Sequence, residues 1–148
     1  MPLLSSLLAL FPSFVAGNRL IDGGDLSALA NQVFSTATAI TARAGGGQAN
    51  ATVLTNALNQ IGTVASGSDS VMLPQAIPGM AVYINNAGAS TLQVFGVVSN
   101  PVTGVGDRIV PNNSSTPQAT ATGVAQSANV DAEYKCYTAG IWKQNLSA

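Results

Sequence analysis

The stretch Val130–Trp142 reads VDAEYKCYTAGIW, and it is the part of the chain whose pattern most directly predicts the fold. Every second residue from Ala132 to Cys136 is uncharged, and the residues between them, from Asp131 to Lys135, are charged. A period of two is typical of a β-strand with one buried face. Ala139–Gly140 then predicts a tight turn and a returning strand. The stretch therefore predicts a half-buried antiparallel hairpin.

The same kind of pattern extends over the second half of the chain. From Ile61 onward, short apolar or β-branched runs are separated by turn residues at intervals of roughly 8–12 residues, which is typical of an all-β sandwich or barrel. We expect an antiparallel, jelly-roll-like sandwich over residues 60–148. Its predicted strands are 61–65, 70–73, 80–85, 91–98, 107–110, 118–126, 130–138 and 140–144.

A second hairpin is predicted between Pro78 and Gly96. Apolar residues alternate over Met80–Ile84 and again over Leu92–Val98, and the sequence NNAGAS lies between the two runs. Asn and Gly tolerate the positive φ angles that a tight turn uses. We expect the two runs to pair as neighbouring strands.

Residues 1–24 are predicted to form an extended arm. Their apolar run is interrupted by Pro12 well short of the roughly 20 residues that cross a membrane, and no basic residue precedes it as in a secretory signal. A cleaved signal of 17 residues stays open as an alternative, which the intact mass of the mature protein would reveal. The residues predicted to contact a partner are Leu3, Leu4, Leu7, Leu8, Phe11, Phe14 and Arg19.

Two further segments lie between the arm and the sandwich. Asp25 is a suitable N-cap for a short helix over residues 25–34, in which apolar side chains recur at helical spacing. Residues 35–59 are polar, rich in alanine and interrupted by Gly45–Gly47, so they predict a flexible, irregular connector.

The charge composition limits the classes of partner. Only 7% of the 148 residues are charged, against about 25% in typical soluble domains, and the net charge is -1. Nucleic acid and anionic lipid surfaces both require clustered Lys and Arg, so neither is expected. A neutral surface poor in Lys instead favours association with other proteins.

The composition also argues against most catalytic chemistry. The chain has no histidine, which excludes a Ser-His-Asp triad and histidine metal ligands, and Cys136 is its single cysteine. The close carboxylate pairs are Asp22 with Asp25 and Asp131 with Glu133, which we interpret as a helix cap and a polar strand face. We therefore expect no enzyme, no metal and no cofactor. A glycosidase would require two facing carboxylates about 5–9 Å apart in a cleft.

Three segments carry a resemblance to a known family: VMLPQAIPGMAVYINNAGASTLQVFG at 71–96, DRIVPNN at 107–113 and YKCYTAGIWKQ at 134–144. Together they resemble the β-rich domain of capsid decoration, or cement, proteins of tailed bacteriophages, and the likeness covers roughly residues 60–144. It implies a structural virion protein that binds the major capsid protein on the outer capsid surface and also assembles with itself as a dimer or trimer. A phage tail or head-fibre module that binds host carbohydrate is the alternative.

Overall fold

The structure is a computed structural model that describes residues 15–16, 19–20 and 35–147. The chain divides into two compact units, Met1–Ser35 and Thr36–Ala148. In the first unit, β1 (Val15–Ala16) pairs antiparallel with β2 (Arg19–Leu20). The predicted helix at 25–34 and most of the predicted arm lie outside the described residues.

The described regular secondary structure of the second unit is almost entirely β-strand. Its one described helix, α1 (Gly47–Asn50), is a single turn, and no described helix is long and apolar enough to span a membrane. Each of the eight strands predicted from Ile61 onward overlaps an observed strand, which confirms the all-β class. The strands are β3 (Thr36–Thr41), β4 (Thr52–Val53), β5 (Leu58–Thr63), β6 (Ser70–Met72), β7 (Ala81–Asn86), β8 (Leu92–Phe95), β9 (Arg108–Val110), β10 (Val124–Gln126), β11 (Asp131–Thr138) and β12 (Ile141–Leu146).

The first six of these strands form a coil. The strands β3, β5 and β7 are parallel neighbours in a six-stranded sheet, and β4, β6 and β8 are parallel neighbours in a four-stranded sheet. The chain therefore changes sheets after every strand and completes three turns. As in solenoid proteins, each turn stacks on the one before it.

The predicted hairpin between Pro78 and Gly96 is wrong for this reason. The two strands exist, but β7 belongs to the six-stranded sheet and β8 to the four-stranded one. Alternating apolar residues show only that each strand has one buried face. Two such strands can be hydrogen-bonded neighbours in one sheet, or they can lie in two sheets that pack face to face. Position 88 in the link requires glycine for a steric reason and not for a positive φ. A Cβ there would lie 2.6 Å from the backbone nitrogen of Val64.

The last four strands extend both sheets beyond the coil. The predicted hairpin of β11 and β12 is confirmed, with Gly140 at φ 77° in its turn. In the six-stranded sheet β11 also pairs with β7, and β9 lies parallel to β12. In the other sheet β10 pairs antiparallel with β8. Both sheets are thus mixed: five of their eight described pairings are parallel, so the prediction of an antiparallel sandwich is wrong and a jelly-roll topology is not confirmed.

The segment from residue 35 to 59 differs from the flexible connector that its composition predicts. It contains β3, α1 and β4, the first turn of the coil, and Ala42, Ala51 and Leu54 are buried. Threonine and alanine give β3 little apolar contrast between its faces, and its φ of 57° at Ala39 marks a bulge. The usual period-two signal is therefore weak here.

Side chains from both sheets meet in one apolar core that includes Val94, Tyr134 and Trp142. A buried amide network ties the sheets together. Gln126 of β10 donates to the backbone oxygens of Ile84 and Val130, at 2.9 and 2.8 Å. The Tyr134 hydroxyl contacts the side-chain oxygen of Gln126, and burial raises the pKa of that hydroxyl. Apolar contacts and these buried hydrogen bonds therefore hold the two sheets together.

Candidate interaction site at the Asp107 loops

A buried carboxylate, Asp107, joins three connections at one end of the two sheets. Its Oδ2 accepts a hydrogen bond from the backbone nitrogen of Ala76 at 2.6 Å, and its Oδ1 accepts one from the Asn100 amide at 2.7 Å. The nitrogen of Gly140 donates to the oxygen of Ala76 at 3.2 Å. We call residues 74–80, 96–107 and 137–140 the Asp107 loops.

The longest of these loops, residues 96–107, is held from within by Asn100, which is completely buried. Its side-chain oxygen accepts hydrogen bonds from the backbone nitrogen of Val102 at 2.9 Å and from the Gln75 amide at 3.0 Å. Its backbone nitrogen donates to the oxygen of Val105, and its own oxygen accepts from Gly104. Since these bonds fix the turn from both sides, the loop has a defined conformation without belonging to a sheet.

Close packing at two glycines brings the loops together. A Cβ at Gly96 would lie 2.7 Å from the backbone oxygen of Asp107, and one at Gly140 would lie 2.9 Å from the side chain of Thr103. Gly140 also has a φ of 77°, which disfavours other residues. The turn between β11 and β12 therefore rests directly against the loop that contains Thr103.

Most of the large hydrophobic residues that are exposed in the described part of the chain belong to the Asp107 loops. Eight large hydrophobic residues are exposed in the described part of the chain, and five of them belong to these loops. Val102 and Tyr137 are the most exposed, each at 71%. No charged residue lies between Gly96 and Gly106. The five residues are Ile77, Val98, Val102, Val105 and Tyr137.

Cys136 lies beneath this surface, and its environment makes it a structural residue. Its thiol donates to the oxygen of Thr138 at 3.2 Å. Burial, and then the negative charge of Asp107, raises the pKa of the Cys136 thiol above its ordinary value. Since the thiolate is the reactive form, this cysteine is a poor nucleophile at neutral pH.

The arrangement is suited to binding a protein surface. Scattered exposed apolar residues are common, but the four within residues 74–80 and 96–107, two loops that Asp107 joins, offer an apolar surface of the kind found at interfaces. Tyr137, near the end of β11, lines a separate pocket with Lys143. Because the loops are already ordered, binding costs little conformational entropy. Among the described residues no group of three or more His, Cys, Asp or Glu side chains is placed to hold a metal ion.

The predicted contact residues lie elsewhere in the chain. Leu3, Leu4, Leu7, Leu8, Phe11 and Phe14 are outside the described residues, so their predicted role stays a prediction. Arg19 lies in β2, where its backbone pairs with Ala16.

Sequence reasoning missed the Asp107 loops. The available signal was the stretch NPVTGVGD at residues 100–107, in which apolar residues lie among turn formers without any charge until its last position. That composition suits a surface loop, but it does not reveal that Asp107 points inward.

Comparison with known proteins identifies no relative: no family model, no curated protein and no solved structure matches the chain.

Proposed function

We propose that the protein is a decoration protein of a bacteriophage virion, which binds the outer surface of the shell formed by the major capsid protein. The observation that carries the proposal is the rigid, uncharged apolar surface of the Asp107 loops. A chain with only 7% charged residues also suits a position where much of its surface is covered.

The proposed mechanism is the addition of buried interface. The Asp107 loops dock onto the shell, and the apolar residues of the arm, such as Leu7 and Phe11, lie across neighbouring capsid subunits. A specific interface of standard size buries about 1,200–2,000 Å². Repeated at every symmetry position, with the protein assembled as a dimer or trimer, this burial stabilises the shell against internal pressure.

Incorporation into particles tests the proposal. Particles produced by the phage that encodes the chain are purified with wild-type protein or with the double variant Val102→Asp/Val105→Asp. Two carboxylates placed in an apolar interface should reduce the copy number at least tenfold, because each carboxylate would be buried without a partner. Deletion of residues 2–16 should also abolish incorporation while the second unit remains folded.

The matched control is Val53→Asp/Leu58→Asp, which places the same two charges on exposed apolar positions outside the Asp107 loops. This variant should be incorporated like the wild type. Normal incorporation of the double variant, or absence of the wild-type protein from the particles, would contradict the proposal. Thermal melts of each purified variant distinguish loss of docking from loss of folding.

A further inference from the structure

The outer face of the six-stranded sheet carries a second surface, which differs from the Asp107 loops because polar and charged side chains lie beside its apolar residues. The strand register places Leu58, Tyr83, Glu133 and Asn145 in one row across β5, β7, β11 and β12. Neighbouring strands are about 4.8 Å apart, so this row is about 14 Å long. A shallow groove of about 480 Å³ follows it. We call this surface the sheet groove.

A second row of polar side chains borders the first. Gln60 of β5 lies opposite Asn85 of β7, and Asn85 lies opposite Asp131 of β11. The Asn85 amide donates to Asp131 Oδ1 at 2.6 Å. Ser147 lies beyond Asp131, and its backbone nitrogen donates to the oxygen of that residue. The surface of the groove is therefore mostly apolar, with Leu58, the Tyr83 ring and Leu146 among its lining residues, and amides, carboxylates and a hydroxyl lie along it.

The aromatic ring of the sheet groove is held in place by charged neighbours. The Tyr83 hydroxyl donates to Glu133 Oε1 at 2.5 Å, and Glu133 Oε2 accepts from the Lys135 ammonium at 2.8 Å. The hydrogen bond to Glu133 raises the pKa of Tyr83, and the bonds from Lys135 and then Tyr83 lower the pKa of Glu133. Tyr83 is nevertheless 44% exposed, so a ring fixed at its hydroxyl still offers a flat face to solvent.

Several polar groups along the sheet groove have hydrogen-bonding capacity left. Within the described residues, the side-chain amides of Gln60 and Asn145 make no hydrogen bond, and neither do Oδ2 of Asp131 and Oδ1 of Asn85. An amide both donates and accepts, and a carboxylate accepts. Sugar hydroxyls also donate and accept, while the C-H face of a sugar ring packs on an aromatic face such as that of Tyr83.

We propose that the sheet groove binds a neutral saccharide chain, with one ring stacked on Tyr83 and its hydroxyls paired with Glu133, Asn145 and the Asn85–Asp131 pair. The charges of the groove favour a neutral ligand, because two carboxylates face a single ammonium and would repel sugar acids or phosphates. The row accommodates a short oligosaccharide lying across the strands. This site is independent of the proposed function, since it involves none of the Asp107 loops.

The charged state of Glu133 favours binding over hydrolysis. Glycosidases need a carboxylic acid whose pKa is raised so that it can protonate the leaving group. Glu133 is in the opposite situation, since Lys135 and Tyr83 stabilise its charged form. Tyr83 therefore acts as a binding residue, positioned by a carboxylate that stays ionised.

Titration of the full-length, isotope-labelled protein tests the site. The probes are neutral tetrasaccharides of glucose, mannose, galactose and N-acetylglucosamine, and the anionic probe is tetragalacturonate. At least one neutral tetrasaccharide should shift the backbone amide resonances of Tyr83, Asn85, Glu133 and Asn145 in a saturable way. Tetragalacturonate should bind at least tenfold more weakly than that probe.

Two variants at one position separate stacking from the hydroxyl contact. Tyr83→Ala should lower the affinity at least tenfold, whereas Tyr83→Phe keeps the ring and should lose less. The double variant Val102→Asp/Val105→Asp should bind the saccharide normally, and Tyr83→Ala should still enter particles. No shift with any neutral probe, unchanged affinity in a folded Tyr83→Ala variant, or preferred binding of tetragalacturonate would each overturn the proposal.

Discussion

The Asp107 loops and the sheet groove are stabilised by different interactions. The loops bury polar groups, Asp107 and Asn100, and present apolar residues to solvent. The groove buries apolar residues such as Val82 and Ile84 and exposes polar residues beside Leu58 and Tyr83. In the groove the backbone is fixed by strand pairing, so its side chains contribute little to stability. In the loops, order depends on a few buried hydrogen bonds, so replacing the buried polar residue that makes them, such as Asp107 or Asn100, should be costly.

The largest effect is expected at the core beneath both surfaces. Val94 is completely buried in β8, and Val94→Asp would place an unpaired charge there. The cost should exceed about 4 kcal/mol, which is a large part of the roughly 5–15 kcal/mol by which typical domains are stable. Urea denaturation followed by circular dichroism measures it.

The matched control lies four residues further along the chain. Val98 is 55% exposed, so Val98→Asp should leave the free energy of unfolding within about 0.5 kcal/mol of the wild type. Similar losses in the two variants would contradict the assignment of β8 to the interior.

A smaller effect is expected for Asp107→Ala. This change leaves the Ala76 nitrogen and the Asn100 amide buried without an acceptor, and it should cost about 3 kcal/mol. Hydrogen exchange of the loop amides, including those of Val102 and Gly104, should become faster, while exchange in β11 keeps its relative protection. Asp131→Ala removes an exposed carboxylate from the sheet groove and should cost less than about 0.5 kcal/mol. Equal costs for the two alanine variants would remove the contrast between the surfaces.

The smallest effect concerns pH in the sheet groove. The pKa of Glu133 is lowered from its usual 4.5 by Lys135 and then Tyr83, so its contribution to stability is present above that value and is lost as the pH falls through the lower pKa of the folded state. The stability difference between wild type and Glu133→Gln should therefore shrink between pH 7 and pH 3. It should be small, because exposed ion pairs contribute little. A difference that grows on acidification would contradict this account of the groove.

Local pattern predicts local pairing well and distant pairing poorly in this chain. The hairpin of β11 and β12 could be predicted because a two-residue turn, with Gly140 at a positive φ, leaves neighbouring strands no other way to pair. The link between β7 and β8 is as rich in turn residues, yet it crosses between sheets. In this link Gly88 packs so closely against Val64, more than twenty residues earlier, that a Cβ would not fit, and no local pattern reveals that contact.

The two surfaces also differ in how much of each can be predicted from the sequence. The polar face of β11 could be read from alternation, and the structure places Asp131 and Glu133 on it. Tyr83 and Asn145 join that face only through the register of three strands. Asp107 was predicted as part of a strand, and its role depends on Ala76 and Asn100, which reach it from two loops. The sequence therefore predicts which face of a strand is buried better than it predicts which loops contact each other.

A cryo-EM map of particles from the proposed phage source of the chain tests the central proposal most directly. The account predicts density for this protein at symmetry-related positions on the outer shell, in copy number comparable to that of the major capsid protein, with Val102 and Val105 against the shell. Absence of the protein from the shell, or a position in which the Asp107 loops face solvent, would contradict it.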